Sequence, residues 1–383
     1  MIYRQITPKI ESALRNELVA IIYGARQTGK TTLAKEIASK YKNPLYLTCD
    51  DPTVVSNLTQ RSVSELKAYI GDADIVIIDE AQRVEKIGIA IKLIHDSYPT
   101  IKLLVTGSSS LDLANKVIEP LTGRSAEFNL YPLSVNEVSS NGPEVFGHSR
   151  VLMLRGGYPG LWQLPNEEAE ERLRNIAFNY LYRDAFSPLV IYDQTILNNL
   201  LRLLAYQIGN EVNYTEIGRK LGIASDTAQR YVDLLEKAFI VFRLNQFRKN
   251  RRSEVGRLRK VYFYDLGIRN ALIDNFSPLE MRDDAGVLWE NFCIVERIKY
   301  ISSTNRHLQY FYWRNKNQRE IDLIEEEQNN IMAYEFKLGN KRPILPSEFR
   351  DFYPEAQYKI VNPINFPPIL FGNDAPEQTR LLP

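Results

Sequence analysis

Residues 19–32 read VAIIYGARQTGKTT, and this stretch decides the fold of the first part of the chain. The apolar run 18–23 predicts a buried strand, and the pattern from Thr32 to Tyr41 predicts a helix. Between them, residues 24–31 have the spacing G-x-x-x-x-G-K-[ST]. Glycines in such a loop let successive backbone N–H groups point at phosphates, and the helix N-terminus adds partial positive charge. The stretch therefore predicts a phosphate-binding loop.

The nucleotide contacts are expected from this one run of residues. Lys30 would bridge the β- and γ-phosphates, and Thr31 would ligate Mg²⁺. The alternative, a chance glycine-rich turn, is disfavoured by the flanking strand and helix and by a partner motif downstream. The full predicted binding set is Gly24, Ala25, Arg26, Gln27, Thr28, Gly29, Lys30, Thr31 and Thr32.

The partner motif is DIVIIDE, from Asp74 to Glu80. Its four consecutive β-branched residues predict a fully buried strand that ends in two carboxylates. Asp79 would hold Mg²⁺, and Glu80 would orient and deprotonate the attacking water. The alternative is a strand that happens to end in acidic residues. Together with the loop at residues 24–31, the pair predicts a catalytic site at one edge of a parallel sheet.

Two further positions extend this site. The strand 101–105 ends in TGSSS, so Ser108 would lie between the two motifs and sense the γ-phosphate. Arg124 precedes another probable strand and could act as an arginine finger on a neighbouring subunit's nucleotide. A surface arginine is an equally good interpretation, because nothing local fixes where Arg124 points.

This part of the chain resembles the prokaryotic AAA+-type ATPases of the archaeal-ATPase kind. The resemblance is carried, in the family's order, by GARQTGKTT, IVIIDEAQ, LLVTGSSS, LTGR and FNLYPLSVNEV, and covers roughly Met1 to Val138. It implies ATP rather than GTP as the nucleotide, with Mg²⁺, and it implies that Gln82 also lies near the site.

Length, net charge and cysteine content limit the number of domains and the class of protein. A chain of 383 residues is too long for one core, so two to four domains are expected. The net charge of +1 creates no global field toward nucleic acid or membrane. Cys49 and Cys293 lie far apart, which indicates a reducing compartment and no structural zinc. No apolar run approaches the roughly 20 residues of a membrane span. A cytoplasmic protein without membrane contact is therefore expected.

The middle of the chain contains two predicted units. Residues 141–194 would form a helical lid in which Arg183 either contacts nucleotide or forms a surface salt bridge, the latter slightly favoured. Residues 195–265 give the order of a winged helix, namely helix, helix-turn-helix and hairpin. The second helix would expose Thr227, Gln229 and Arg230. The hairpin tip is basic, with Arg248, Lys249, Arg251, Arg252, Arg257, Arg259 and Lys260.

This basic tip favours nucleic acid, DNA in particular, gripped by its phosphates beside a helix in the major groove. The alternative is a domain-docking module with a solvated charge run. The order of elements does not distinguish these interpretations, so the preference rests on charge clustering alone.

The last part of the chain carries a second set of acidic residues. Period-two alternation places Glu320 and Asp322 on one face of their strand, and Glu335 and Lys337 on one face of the next strand. The side chains of Asp322 and Glu335 would then share one face of the sheet. With Glu290 on a preceding helix, this is the PD-(D/E)xK constellation. Glu290, Asp322 and Glu335 would hold Mg²⁺, and Lys337 would stabilise the attacking hydroxide or the phosphate.

Residues 286–338 also resemble the restriction-endonuclease-like domain that commonly follows this type of ATPase, through GVLWENF, YFYWRNKNQREIDLI and YEFK. Ile321 stands where a strict motif has proline. A nuclease and a nuclease-like binding platform without cleavage activity are therefore both open.

The predicted fold is α/β: a P-loop AAA+-type parallel sheet over residues 1–140, a helical lid over 141–194, a winged helix over 195–265, and a restriction-endonuclease-like α/β domain over 266–383. The predicted function is Mg²⁺-dependent ATP binding and hydrolysis coupled to nucleic-acid binding or processing. The alternative is an ATP-driven switch that binds proteins and carries an inactive nuclease-like domain. Either protein could form oligomers.

Overall fold

The computed structural model describes residues 2–107, 120–180, 194–248, 259–339 and 342–372. The chain divides into two compact units, one of residues 1–131 with 237–239, the other of residues 132–236 with 240–383. Within the described ranges, no helix combines the length and apolar character needed to span a bilayer.

The first unit is built on a sheet of five parallel strands in the order β2-β3-β4-β1-β5. The strands are β1 (Val19–Tyr23), β2 (Pro44–Thr48), β3 (Ile75–Asp79), β4 (Lys102–Gly107) and β5 (Ser125–Asn129). The predicted α/β fold with a parallel sheet is therefore confirmed. Because β4 separates β1 from β3, the end of β4 lies between the two predicted nucleotide motifs.

The two faces of this sheet are covered by separate apolar clusters, which explains why β1 and β3 are buried along their whole length. A parallel sheet covered on both faces selects such continuous apolar runs. The helices of the unit are Thr7–Arg15, Lys30–Ala38, Pro52–Leu58, Val63–Ile70 and Ile87–Ser97, with a 3₁₀ turn at Ala81–Arg83. The helix at residue 30 begins directly at the end of the predicted loop.

The second unit contains a seven-stranded mixed sheet in the order β12-β11-β10-β9-β7-β8-β6. Its strands are β6 (Glu211–Val212), β7 (Val241–Gln246), β8 (Arg259–Phe263), β9 (Gln309–Arg314), β10 (Glu320–Glu327), β11 (Asn330–Phe336) and β12 (Gln357–Val361). Its described α-helices are Val135–Val138, Gly142–Arg155, Asn166–Asn175, Gln194–Tyr206, Tyr214–Leu221, Ser225–Lys237, Leu266–Leu272, Ala285–Ser303, Ser347–Phe352 and Phe366–Phe371. A π-helical turn occupies Ile176–Tyr180, and 3₁₀ turns occupy Pro159–Leu161 and Leu279–Met281.

One sheet joins the predicted winged helix to the predicted nuclease-like domain. The hairpin strands β7 and β8 pair antiparallel, and β7 also pairs parallel with β9, where Asn245 lies opposite Phe311. The domain boundary predicted at residue 265 therefore falls within one compact unit. The sequence does not reveal this pairing, because strands that are far apart in the chain form it.

Candidate functional site

The loop of residues 24–29 has backbone conformations that restrict its sequence. A Cβ at Gly24 would lie 2.3 Å from the carbonyl oxygen of Leu130, so a side chain there would collide with the backbone. Gly29 has φ +93°, in the left-handed region that favours glycine. Gln27 also has positive φ, at +62°. The glycines of the predicted motif therefore have steric reasons for their positions.

Lys30 lies inside the curl of this loop. Its side chain is buried, and its Nζ donates to the carbonyl oxygens of Gly24 at 2.9 Å and Ala25 at 2.8 Å. Thr28 is also buried and donates from Oγ1 to the Ala25 carbonyl at 2.9 Å. The ammonium group thus faces the hollow where the loop's backbone would hold phosphates.

Arg4 supports the loop, and sequence reasoning did not identify it. Its guanidinium is buried and donates to the carbonyl oxygens of Thr28 at 2.7 Å and Tyr131 at 2.5 Å. A lone arginine near the N-terminus carries no signal in the sequence, because its partners are backbone atoms far along the chain.

Asp79 is the centre of the site in the first unit. Its Oδ2 accepts hydrogen bonds from Thr31 Oγ1 at 2.8 Å and from Tyr46 OH at 2.6 Å, and its Oδ1 accepts from Thr106 Oγ1. The carboxyl ends of β1, β3 and β4 meet at this edge, which brings the two motifs together. A hydroxyl and a carboxylate in contact are hard oxygen donors of the kind that Mg²⁺ takes.

Glu80 follows at the end of β3 in a left-handed conformation, with φ +55°. Its backbone N–H donates to Thr106 Oγ1 at 3.3 Å, and its Oε2 accepts from Gln82 Nε2 at 2.5 Å. A non-glycine residue in this region costs energy, and such residues concentrate at functional sites. The Glu80 carboxylate is therefore held by Gln82 at the end of β3.

Four further residues were predicted for this site, and the structure describes two of them. Ser108 and Arg183 lie outside the described residues. Thr32 is exposed on the first turn of its helix. Arg124 pairs with Asp96, its Nε 2.7 Å from Oδ1, and immediately precedes β5. Since β5 runs parallel to β1, Arg124 lies at the sheet edge opposite the loop and does not reach the nucleotide site of its own chain.

The second unit brings together the acidic residues predicted near the C-terminus. Asp322 on β10 lies across from Glu335 on antiparallel β11. Asp322 Oδ2 accepts from the backbone N–H of Phe336 at 2.8 Å. Lys337 Nζ is 2.7 Å from Glu335 Oε1 and 3.6 Å from Asp322 Oδ2. The predicted strand phasing therefore places these three charged side chains together.

The three carboxylates that come together in the structure are not the three predicted to hold a metal ion. Ligand atoms of Glu290, Glu320 and Asp322 lie within 4.8 Å of one another, whereas Glu335 is engaged by Lys337. The sequence spacing places Glu320 on the Asp322 face but gives it no role. The tertiary structure adds it because helix Ala285–Ser303 brings Glu290 to that side of β10.

Lys260 enters this cluster, and its prediction as a wing residue is wrong. It is 1% exposed, and its Nζ lies 3.2 Å from Glu290 Oε1 and contacts Glu320 Oε1. Burial alone lowers the pKa of Lys260, but the charges of these two glutamates raise it above its usual value. Alternation along β8 turns Lys260 inward, and the hairpin's place inside the large sheet was not visible from the sequence.

The charges of this cluster nearly balance. Burial, followed by the charges of Glu290 and Glu335, raises the pKa of Asp322 well above its usual value. The four carboxylates Glu290, Glu320, Asp322 and Glu335 face the three cations Lys260, Lys337 and Arg314, whose Nε is 2.7 Å from Glu320 Oε2. The formal sum is −4 + 3 = −1, so little negative charge is left to attract a divalent ion.

The region of the predicted helix-turn-helix contains two consecutive helices, Tyr214–Leu221 and Ser225–Lys237. Asn213 caps the first of these, accepting from the backbone N–H of Thr215 at 3.0 Å. Gly222 ends it with φ +69°. Gln229 and Arg230 are exposed on the second helix, as predicted, and Thr227 is half-buried. Four basic residues of the hairpin tip, Lys249, Arg251, Arg252 and Arg257, lie outside the described residues.

Comparison with protein families gives three matches along the chain. A family model described as an AAA domain matches residues 16–139. Two models described as domains of unknown function match residues 148–279 (DUF8612) and 285–366 (DUF4143). The AAA match coincides with the unit that contains Lys30 and Asp79. It supports ATP binding and hydrolysis by a P-loop domain of the AAA type.

Curated relatives and solved structures are similar over most of the chain. The uncharacterized protein Rv2008c of Mycobacterium tuberculosis is 28% identical over 339 residues, covering 87% of this chain and 73% of that protein. The uncharacterized protein MJ1544 of Methanocaldococcus jannaschii is 24% identical over 362 residues, covering 88% and 79%. The Walker-type ATPase PABY2304 of Pyrococcus abyssi is 18% identical, with a TM-score of 0.48, covering 70% of this chain and 95% of that chain.

Proposed function

We propose that the first unit hydrolyses ATP in a Mg²⁺-dependent reaction. The observation that carries this proposal is the Asp79 carboxylate, which accepts hydrogen bonds from Thr31 of the loop and Thr106 of β4. It links the phosphate-binding loop, the acidic strand end and the intervening strand at one point. Thr31 and Asp79 supply the oxygen donors that would hold Mg²⁺, which on binding would neutralise phosphate charge.

The chain's own residues have separable roles in this proposal. Lys30 exchanges its two loop carbonyl partners for phosphate oxygens when ATP enters, which keeps the buried ammonium hydrogen-bonded. Glu80 orients the attacking water and accepts its proton. Gln82 fixes the Glu80 carboxylate through the 2.5 Å contact, so it acts as a positioning residue.

The test is phosphate release by the full chain with Mg²⁺ and with a chelator. Glu80→Gln should retain ATP binding and lose turnover, and Thr31→Ala should raise the Mg²⁺ concentration needed for half-maximal activity. Glu85→Gln, an exposed acid of the same segment, is the matched control and should hydrolyse ATP normally. Wild-type turnover by Glu80→Gln would refute the role of Glu80.

We further propose that ATP hydrolysis is coupled to nucleic acid through the helix-turn-helix and the basic run from Arg248 to Arg259. The support is the order of the two helices and the hairpin strands, and the concentration of cations in that run. Replacing Arg248, Lys249, Arg251 and Arg252 by alanine should weaken DNA binding for every sequence. The log–log salt dependence should flatten by up to about four if all four contact phosphates. An unchanged slope would mean that the run is only solvated.

A second candidate function is favoured by Lys260. The buried ammonium group of Lys260 contacts Glu290 and Glu320 and offsets the negative charge that would otherwise attract a metal ion. This supports a nucleotide-driven switch that binds proteins and carries a nuclease-like domain without cleavage activity. In that case a partner protein should be retained in only one nucleotide state, and oligomers could form in which Arg124 serves a neighbouring subunit.

Cleavage measurements distinguish these candidates. A nuclease should cut DNA with Mg²⁺ or Mn²⁺, lose cleavage with Lys337→Ala, and gain a metal-dependent rise in melting temperature that Asp322→Asn with Glu335→Gln removes. The metal measurement is made in the Lys30→Ala variant, so that metal bound together with nucleotide does not contribute. If this variant shows neither cleavage nor a metal-dependent rise in melting temperature, the switch is favoured.

A further inference from the structure

A cleft of about 1020 Å³ lies in the second unit, apart from the residues that form the ATP site. Helices Tyr214–Leu221 and Ser225–Lys237 contribute their first turns to it, and Gln229 points from the second. The ends of β7 and β9 form its floor, and helix Ser347–Phe352 forms a further wall. The cleft is therefore built jointly by the helix-turn-helix and the sheet.

The cleft has a positive balance of charge. Arg314 also lines the cleft but is already counted with Glu320. The other cations are Arg248, Arg259 and Lys316, and the carboxylates are Glu211 and Glu348, so the formal sum is 3 − 2 = +1. Glu211 is held by Arg314, with Oε1 3.4 Å from Nη1. No carboxylate in the described part of the chain forms an ion pair with Arg259 or Lys316. Two cations are thus available for an anionic ligand.

The position of Arg248 and Arg259 strengthens this charge argument. They are the described residues on either side of the basic run at the hairpin tip, and both line the cleft. Charge complementarity therefore favours a ligand with several negative charges.

Aromatic side chains form one wall of the cleft. Phe352 is 51% exposed, so about half of its surface is open to a ligand in the cleft. It packs against Tyr353 with ring centroids 6.4 Å apart, and Tyr353 packs against Phe247 at 4.9 Å. These neighbours hold the Phe352 ring in place. An exposed aromatic ring beside cations is what single-stranded nucleic-acid sites use to stack bases.

We propose that this cleft binds a short length of single-stranded nucleic acid, with phosphates on Arg259 and Lys316 and a base stacked on Phe352. The inference rests on the nucleic-acid part of the proposed function and specifies the form of nucleic acid and its site. The volume lies at the upper end of small-molecule pockets, about 300–1,000 Å³, which suits a few nucleotides of one strand. A duplex read in the major groove would instead use the exposed Arg230, which does not line the cleft.

The experiment uses the full chain and fluorescence anisotropy. The probes are a mixed-sequence single strand of about 12 nucleotides, within the range of single-strand site sizes, and its duplex. The single strand should bind more tightly than the duplex. Phe352→Ala should weaken single-strand binding by about 5- to 150-fold, and Arg259→Ala and Lys316→Ala should each lower the salt slope by about 0.7.

Matched controls come from helix Gln194–Tyr206, outside the cleft. Tyr206→Ala removes an exposed aromatic ring, and Arg202→Ala removes an exposed cation. Both should bind the single strand as wild type does. Because Phe352 and Lys316 are exposed, their variants should keep the wild-type melting temperature, so a loss of binding will not reflect unfolding.

Each contrary outcome has a distinct meaning. Tight duplex binding that depends on Arg230 and not on Phe352 overturns the cleft assignment and leaves the proposed coupling to nucleic acid intact. Absence of binding to either probe refutes both proposals. Another contrary outcome is that polyglutamate displaces the labelled strand as readily as unlabelled strand does, while Phe352→Ala binds the strand as wild type does. That result overturns base stacking and favours an acidic peptide as the ligand. Single-strand binding that no cleft variant changes also overturns the inference.

Discussion

Lys260→Met gives a strong test of the buried cluster, because it removes a charge and keeps most of the side-chain volume. The Lys260 Nζ is 3.2 Å from Glu290 Oε1, a separation worth about 5 kcal/mol at an effective dielectric constant near 20. Removing one partner of a buried ion pair typically costs about 3–5 kcal/mol. The loss of stability has an upper limit, because one buried carboxyl can take up a proton instead of staying charged. Protonating a glutamate of ordinary pKa at pH 7 costs about 3.7 kcal/mol. We therefore expect a loss of about 3–4 kcal/mol at pH 7.

The assay is urea unfolding followed by tryptophan fluorescence. Trp162, Trp289 and Trp313 all lie in the second unit, so the signal reports on the unit that contains Lys260. The midpoint should fall by about 1 M or more, given urea slopes of about 1–3 kcal/mol per molar. Without Lys260, the folded state raises a carboxyl pKa above its unfolded value, so stability is lost as pH rises. The deficit relative to wild type should shrink to about 1 kcal/mol at pH 5.

Two further variants make the result specific. Adding Glu290→Gln to Lys260→Met restores the charge balance and should recover most of the lost stability. Lys220→Met removes an exposed lysine that pairs with Glu216 at 2.6 Å, and should cost less than about 0.5 kcal/mol. Mg²⁺ should also stabilise Lys260→Met more than wild type, because the carboxylates then lack their internal cation. An unchanged urea midpoint in Lys260→Met would refute the account of this cluster.

Three other predictions follow from single contacts. Gly24→Ala should weaken ATP binding and lower the melting temperature, at a cost of about 1–3 kcal/mol, because its Cβ would lie 2.3 Å from the Leu130 carbonyl oxygen. Arg4→Ala should lower the free energy of unfolding by about 1–3 kcal/mol, measured in denaturant, since it removes the buried donor to the carbonyl oxygens of Thr28 and Tyr131. Burial alone would raise the pKa of Asp284, but hydrogen bonds from Arg282 and a second arginine lower it to about 2. Asp284→Asn should therefore cost about 1–2 kcal/mol at pH 7 after allowance for solvent screening, and the difference should vanish as pH falls from about 4 to 2.

The ATP site was largely predictable because its residues are local in sequence or end adjacent parallel strands. Gly24 to Thr31 form one continuous loop, and Asp79 ends a strand whose apolar run marks it as buried. What the sequence could not supply is the contribution of Tyr46 and Arg4. A tyrosine on β2 and an arginine before the first helix have no motif, and only the fold brings them to Asp79 and to the loop.

In the second unit, element types were predictable and their partners were not. Helix Tyr214–Leu221 and strands β10 and β11 follow from apolar periodicity and from turn residues. The pairing of β7 with β9 joins segments more than 60 residues apart, and no local pattern encodes it. The same limit affected Lys260: a basic residue beside a basic run is naturally assigned to the surface, whereas its neighbour in space is Glu290.

Lys260 also bears on how the second unit is divided. A lysine buried on a hairpin strand is tolerable only where carboxylates compensate it, and here they come from helix Ala285–Ser303 and from β10. Glu290 in turn accepts a 2.6 Å hydrogen bond from Tyr262, on the same hairpin strand as Lys260. The hairpin and the later strands therefore share one buried group of charged and polar side chains. Separating the hairpin from those strands would leave buried charges unpaired. Charge pairing of this kind argues that the predicted winged helix and the predicted nuclease-like domain fold as one unit.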